Sequence, residues 1–173
     1  MPSKQDLMRV YLDTCVILPW FQNIITNKKD SKGKIEVPKI IQFLVEHPEI
    51  EKYISAFTVA ELVKELMFKT DKVKPHMKRL EYVQGFIETF QLTIPNMNII
   101  ELEESKNGEK GILIPVPDLI KYTSLIGDVP DAIHVCIAKH EDIYMVTKDD
   151  KVGKVQSVYS KTVGMIGFAK AFA

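Results

Sequence analysis

The sequence predicts an α/β protein built on a parallel sheet, and three observations carry that prediction. Short apolar runs rich in strand formers, such as Val10-Tyr11-Leu12 and Tyr144-Met145-Val146, recur along the chain. Segments of helical periodicity separate them, which is the pattern of successive βα units. Two of the runs lead directly into acids: Asp13 after the first, Asp149 and Asp150 after the Tyr144 run. In open α/β sheets, ligands bind outside the carboxyl ends of the strands, so acids gathered there call for an explanation other than packing.

The elements follow in order. Met8 to Leu12 reads as the first and central strand, ending in Asp13-Thr14. Val16 to Phe21 continues as a short apolar turn or helix that Pro19 interrupts. Asn27 to Lys34 is a polar loop containing Gly33, and Ile40, Ile41, Phe43, Leu44 and Val45 form a helical stripe that His47-Pro48 ends. Tyr53 to Phe57 is a second strand. A helix starting near Thr58 carries Val59, Leu62, Val63, Leu66 and Met67 on one face and Glu61 in its first turn.

Pro75 suits the first turn of another helix, whose apolar face is Leu80, Val83, Phe86, Ile87 and Phe90. Asn96 to Leu102 is a third strand, and Glu103 to Lys110 is a charged loop with an Asn107-Gly108 turn. Gly111 to Pro117 reads equally as a short strand or a buried loop, and Asp118 to Ile126 as a helix. Gly127-Asp128-Val129-Pro130-Asp131 opens the next helix, and Tyr144 to Thr147 is a buried strand. Thr162 to Ile166 is an edge strand and Gly167 to Phe172 a terminal helical turn. With no internal repeat or domain-separating linker, residues 1–173 read as a single domain.

A chain of 173 residues is long enough to bury a core. Lysine plus arginine and aspartate plus glutamate number 23 each, so no global charge argues for nucleic acid. An acidic site and a basic rim would cancel in that sum. Cys15 and Cys136 lie in apolar surroundings and imply no disulfide framework. Met1 to Leu7 lacks the apolar region of a signal peptide, and no run approaches a membrane span. The expected location is cytoplasmic, away from membranes.

Each acid has a local structural reading. Thr58-Val59-Ala60-Glu61 matches a capping box. Asp128 suits a helix cap, with Pro130 in the first turn and Asp131 facing the helix dipole. Asp149-Asp150, between Lys148 and Lys151, suits a solvated turn. Asp13 resists such a reading, because an aspartate ending an apolar central strand needs a partner or a metal. These readings leave the coincidence unexplained: Asp13, Glu61, Asp131 and Asp149 all fall at strand ends or in the helix turns that follow. Close carboxylate pairs repel by roughly 4 kcal/mol at intermediate effective dielectric, so a cluster persists when protons or cations neutralise it. Oxygen donors favour Mg²⁺ or Mn²⁺ over Zn²⁺, and no Cys/His spacing points to zinc.

Four motifs in order complete the reading: Val10-Tyr11-Leu12-Asp13-Thr14, Ile54-Ser55-Ala56-Phe57-Thr58-Val59-Ala60-Glu61-Leu62, Pro130-Asp131-Ala132-Ile133-His134 and Val146-Thr147-Lys148-Asp149. Together they resemble the successive motifs of the PIN-domain family and span nearly the whole chain. The resemblance implies a three-layer α/β/α fold with a central, mostly parallel sheet, and a divalent-metal-dependent ribonuclease. In size the chain resembles the single-domain VapC-type toxins of toxin–antitoxin pairs.

Carried over by motif, the catalytic and metal-holding acids are Asp13, Glu61, Asp131 and Asp149, with Mg²⁺ or Mn²⁺ as cofactor. Thr14, Thr147, Asp128 and Asp150 are supporting or alternate residues, and Cys15 departs from the serine or asparagine often found at its position. The implied partners are RNA, an antitoxin protein and a second copy of the chain, the last through the helices around Ile40 and Val83. The implied products carry 5′-phosphate and 3′-hydroxyl ends. Lys64, Lys148 and Lys151, with Lys69 and Lys154 nearby, are candidates for a basic rim along RNA. Tyr11, Trp20 and Phe21 read as core in preference to base-stacking platforms, and His134 as a packed or surface histidine. The competing readings are an RNA-processing PIN nuclease, a non-catalytic PIN-fold module that binds RNA or protein, and an unrelated α/β phosphatase or response-regulator-like domain.

Overall fold

A computed structural model of the chain describes residues 2–69, 76–100 and 114–172. Its five strands are β1 (Arg9–Leu12), β2 (Glu51–Ser55), β3 (Met97–Ile100), β4 (Tyr144–Thr147) and β5 (Thr162–Gly164). The helices are α1 (Thr14–Ile25), α2 (Lys39–Glu46), α3 (Ala56–Lys69), α4 (His76–Thr93), α5 (Val116–Ile126), α6 (Val129–His140), α7 (Val152–Gln156) and α8 (Met165–Lys170). The strands form one sheet in the order β3-β2-β1-β4-β5. All four ladders among the described residues are parallel, where a mostly parallel sheet was expected. The carboxyl ends of the strands therefore share one edge, with β1 at its centre.

Side chains alternate across each strand, and the core divides accordingly. Val10, Leu12, Ile54 and Val146 face one way, into a cluster with Ile17, Phe21, Ile41, Leu62, Phe86, Phe90 and Phe168 from α1, α2, α3, α4 and α8. Tyr11 and Met145 face the other way, against Tyr122, Ile126, Val135, Ile137 and Val155 from α5, α6 and α7. The result is a three-layer α/β/α fold. Among the described residues, no helix is long and apolar enough to cross a membrane.

Three expectations need correction. Pro19 lies inside α1, which runs on to Ile25 without stopping. Its missing N–H removes one helical hydrogen bond, yet burial of Val16, Ile17, Trp20 and Phe21 on one face holds the helix against the sheet. The helix carrying Glu61 starts at Ala56 and not near Thr58. Ser55 Oγ accepts from Thr58 N at 3.2 Å, and Thr58 Oγ1 accepts from Ser55 N at 3.4 Å, so the capping exchange is one turn earlier than the Thr58–Glu61 box. Pro117 is helical, near the start of α5.

Helix α7 was not anticipated, since five residues give no legible period. The expected roles of Pro75, Leu102 and residues 103–113 fall outside the described residues, as do the side chains of Leu66, Met67, Leu80 and Val83.

Candidate active site at the carboxyl edge of the sheet

The centre of the edge is Asp13, one residue beyond β1 and 2% exposed. Its place follows from register. Leu12 lies opposite Val146, and Asp13 N donates to Val146 O at 3.0 Å, so Asp13 stands beside Thr147 at the end of β4. Asp13 caps α1, with Oδ1 accepting from Cys15 N at 3.2 Å. Oδ2 accepts from Thr147 Oγ1 at 2.6 Å and from Cys15 Sγ at 2.9 Å. Burial works to raise the Asp13 pKa, but His134, these two hydrogen bonds and Lys151 outweigh it and leave the pKa below the usual value. The Cys15 thiol is pushed up to about 12, first by burial and then by Asp13, and so stays a protonated donor.

Because α3 begins at Ala56, Glu61 lies in its second turn and reaches away from its own helix start. Glu61 Oε2 accepts from His134 Nε2 at 2.7 Å and from Thr14 Oγ1. His134, on α6, is 1% exposed and is the hub of the arrangement. Its Nε2 also lies 3.1 Å from Thr14 Oγ1 and 3.6 Å from Asp13 Oδ1. Nδ1 lies 2.6 Å from the Tyr11 hydroxyl, which is 2.8 Å from Ser55 Oγ.

Nε2 thus faces Glu61, Thr14 and Asp13 and Nδ1 faces Tyr11, so both ring nitrogens have polar partners. Burial raises the Tyr11 pKa and keeps its hydroxyl protonated. The rings of Tyr11 and Phe57 flank the imidazole at centroid distances of 5.6 and 5.2 Å. A polar thread thus joins β2, β1, α6, α3 and α1 where the strands end.

Asp131 enters from the first turn of α6, behind the cap made by Asp128, whose Oδ1 accepts from Asp131 N at 3.0 Å. Asp131 is buried, and Lys151 Nζ donates to its Oδ1 at 2.7 Å. Burial raises the Asp131 pKa, Asp13 and Asp128 push the same way, and Lys151 opposes them. The Lys151 pKa is raised: burial disfavours its charge, but the hydrogen bond to Asp131 and the charges of Asp13 and Asp131 prevail. Asp128, Asp131, Asp150, Lys151 and Lys154 line a pocket of about 290 Å³ beside this pair.

Asp149 is exposed and turned toward α8. Its Oδ1 accepts from Ile166 N at 3.2 Å and its Oδ2 at 3.4 Å. Gly164 makes room for it, since a Cβ there would overlap Asp149 Oδ1. The structure therefore joins Asp13 and Glu61 through His134, pairs Asp131 with Lys151 within electrostatic reach of Asp13, and sets Asp149 over the end of β5. Lys64 is exposed on α3 and Lys148 half-buried, whereas Lys151 points into the acids. Tyr11, Trp20 and Phe21 are buried in the core.

A crystal structure of PAE2754 from Pyrobaculum aerophilum is similar to this chain over 98% of its length and 96% of the other's, with a TM-score of 0.52 and 10% identity. At that identity the likeness is one of fold. No family model and no curated protein matches the sequence.

The donor chemistry of the edge fits a hard divalent cation. Asp13, Glu61, Asp131 and Asp149 offer only oxygen, and a cationic group, the Lys151 ammonium, already sits on one of them. Among the described residues, no three His, Cys, Asp or Glu side chains are grouped to hold one ion.

His134 is packed, as one of the two sequence readings has it, but its polar partners Tyr11, Thr14 and Glu61 were not foreseen. The available signal was its position three after Asp131, which puts both side chains on neighbouring parts of one helix face. A histidine there, among Ala132, Val135 and Cys136, is surrounded by apolar neighbours and needs polar partners from elsewhere.

Proposed function

We propose that the chain is a divalent-metal-dependent ribonuclease of PIN type that hydrolyses RNA phosphodiester bonds, acting as the toxin of a toxin–antitoxin pair. The supporting observation is that three acids from separate elements gather at the carboxyl edge of a parallel sheet: Asp13 and Glu61 meet through His134, and Asp131, paired with Lys151, lies within electrostatic reach of Asp13. Such an edge is where α/β folds bind ligands, and apolar packing gives no reason for three acids there.

Asp13, Glu61 and Asp131, with Asp149 at the margin, are the residues that would hold Mg²⁺ or Mn²⁺. When bound, the ion supplies Lewis acidity toward water and the phosphoryl oxygens. The chain's own part is positioning. Thr147 and Cys15 fix the Asp13 carboxylate, and His134 and Thr14 fix that of Glu61. Lys64 and Lys154 are exposed and Lys148 is half-buried, Lys154 at the rim of the Asp131 pocket, and all three suit contacts with the RNA backbone, which act through charge and not base identity. The same reading gives the protein a cytoplasmic location, an antitoxin that covers the acidic edge, and a homodimer.

One observation favours a second reading. Lys151 neutralises Asp131 within the chain itself, as a non-catalytic RNA- or protein-binding module of this fold would require. Incubation with an end-labelled structured RNA separates the two. The nuclease reading expects fragments with Mg²⁺ or Mn²⁺ and none in EDTA. Retention of intact RNA under every metal condition favours the module.

A further inference from the structure

We infer that the Lys151 ammonium is a tethered counter-cation of the site, seated on Asp131 in the metal-free chain, and that a divalent cation binds by displacing it. The inference rests on the metal-dependent reading above and adds to it a competition built into the chain.

Lys151 follows β4 and precedes α7, on a well-fixed backbone. Its N–H donates to Lys148 O at 3.0 Å, and its own carbonyl accepts from Lys154 N at 3.1 Å and Val155 N at 3.2 Å. From that anchor a flexible four-carbon stem carries the charge inward, and Nζ lies 2.7 Å from Asp131 Oδ1. The Asp131 side chain is 10% exposed and that of Lys151 36%, so the pair sits at the mouth of the site and not on open surface. The ammonium also acts electrostatically on Asp13. Its charge thus bears on two of the acids that the metal-dependent reading assigns to the ion.

The pocket beside the pair provides somewhere for it to go. Asp128 and Asp150 line the same space of about 290 Å³ as Asp131 and Lys151. A rotation of the side chain alone moves the ammonium from Asp131 toward other carboxylates, with no change in the backbone. A doubly charged ion arriving between Asp13 and Asp131 repels the ammonium and replaces its charge with a larger one. A lysine directed outward to RNA phosphate would affect metal affinity in the absence of RNA only through screened charge, and Mn²⁺ would not change its exposure to acetylation.

The test uses the full chain without RNA, and Mn²⁺ alone as probe. Lys151→Met keeps the stem and removes the charge, and a cooperative melt in EDTA checks that it folds. Calorimetric titration is expected to show Mn²⁺ binding about tenfold tighter or more in the variant, a gain equal to roughly 1.4 kcal/mol. In wild-type protein, acetylation of Lys151 by acetic anhydride, read by mass spectrometry, is expected to be slow in EDTA and faster at saturating Mn²⁺. Binding to the variant that is equal or weaker, or labelling that Mn²⁺ leaves unchanged, overturns the displacement while the metal reading stands. No binding to either protein overturns both. If the variant does not fold, the wild-type labelling result decides.

Discussion

Replacing His134 with alanine removes a side chain that touches both Glu61 and Tyr11, and the structure sets the size of the effect. The imidazole is 1% exposed, with Glu61 Oε2 at 2.7 Å on one nitrogen and the Tyr11 hydroxyl at 2.6 Å on the other. Loss of a hydrogen bond to a carboxylate costs about 1.5–3 kcal/mol, and the cavity left by a buried ring adds about 2. Tyr11 keeps Ser55, and Glu61 keeps Thr14, which limits the loss. The expected total is about 3–5 kcal/mol, measured by urea denaturation in EDTA at neutral pH.

Stability alone does not show what the histidine holds, so the decisive quantity is its coupling to Glu61. In a cycle of His134→Ala, Glu61→Ala and the double variant, a coupling of about 1.5 kcal/mol or more is expected. Additivity within about 0.5 kcal/mol would refute the claim that His134 positions Glu61.

Two further expectations concern the frame of the site. Lys52 is fully buried in β2, with Nζ on the carbonyls of His47 at 2.6 Å and Pro95 at 2.9 Å, and burial pushes its pKa down to about 8. Below pH 8 both folded and unfolded chains hold the proton; above it the folded chain loses the proton first, so this group's contribution to stability rises up to about pH 10.5. The stability of wild type relative to Lys52→Met should therefore increase across that window, and a flat difference in denaturation midpoints would contradict the depressed pKa. Gly164→Ala places a methyl group where Asp149 Oδ1 lies, so the exposed carboxylate must leave Ile166 N, at a cost of about 0.5–1.5 kcal/mol. Thermal melting checks this, and an unchanged midpoint would mean that the Asp149 contact with Ile166 N contributes no stability.

The fold was legible because its strands announce themselves. Val10 to Leu12 and Tyr144 to Thr147 are apolar, short and followed by acids, and their parallel pairing puts Asp13 beside Thr147 without further information. Local chemistry was harder to read where two patterns overlapped. Ser55 and Thr58 form one possible capping pair and Thr58 and Glu61 another; the chain uses the first, which frees Glu61 to reach His134.

The packing of His134 was legible but its partners were not, because Tyr11 and Glu61 lie 123 and 73 residues away in sequence and only the fold brings them together. Lys151 was read as part of a basic rim because composition gives the charge of a lysine but not the direction of its stem. Asp149 differs again: its motif gave its place at a strand end, but not that the start of α8 would take its carboxylate.

The central claim is that Asp13, held by Thr147 and Cys15 at the end of the central strand, is the core of a metal-dependent ribonuclease site. Wild-type protein and Asp13→Asn, matched for folding by melting, are incubated with a labelled structured RNA in Mg²⁺, Mn²⁺ and EDTA. Cleavage by the wild type that requires metal, and falls by orders of magnitude in the variant, is the expected result. Equal cleavage by Asp13→Asn, or cleavage that persists in EDTA, would contradict the assignment.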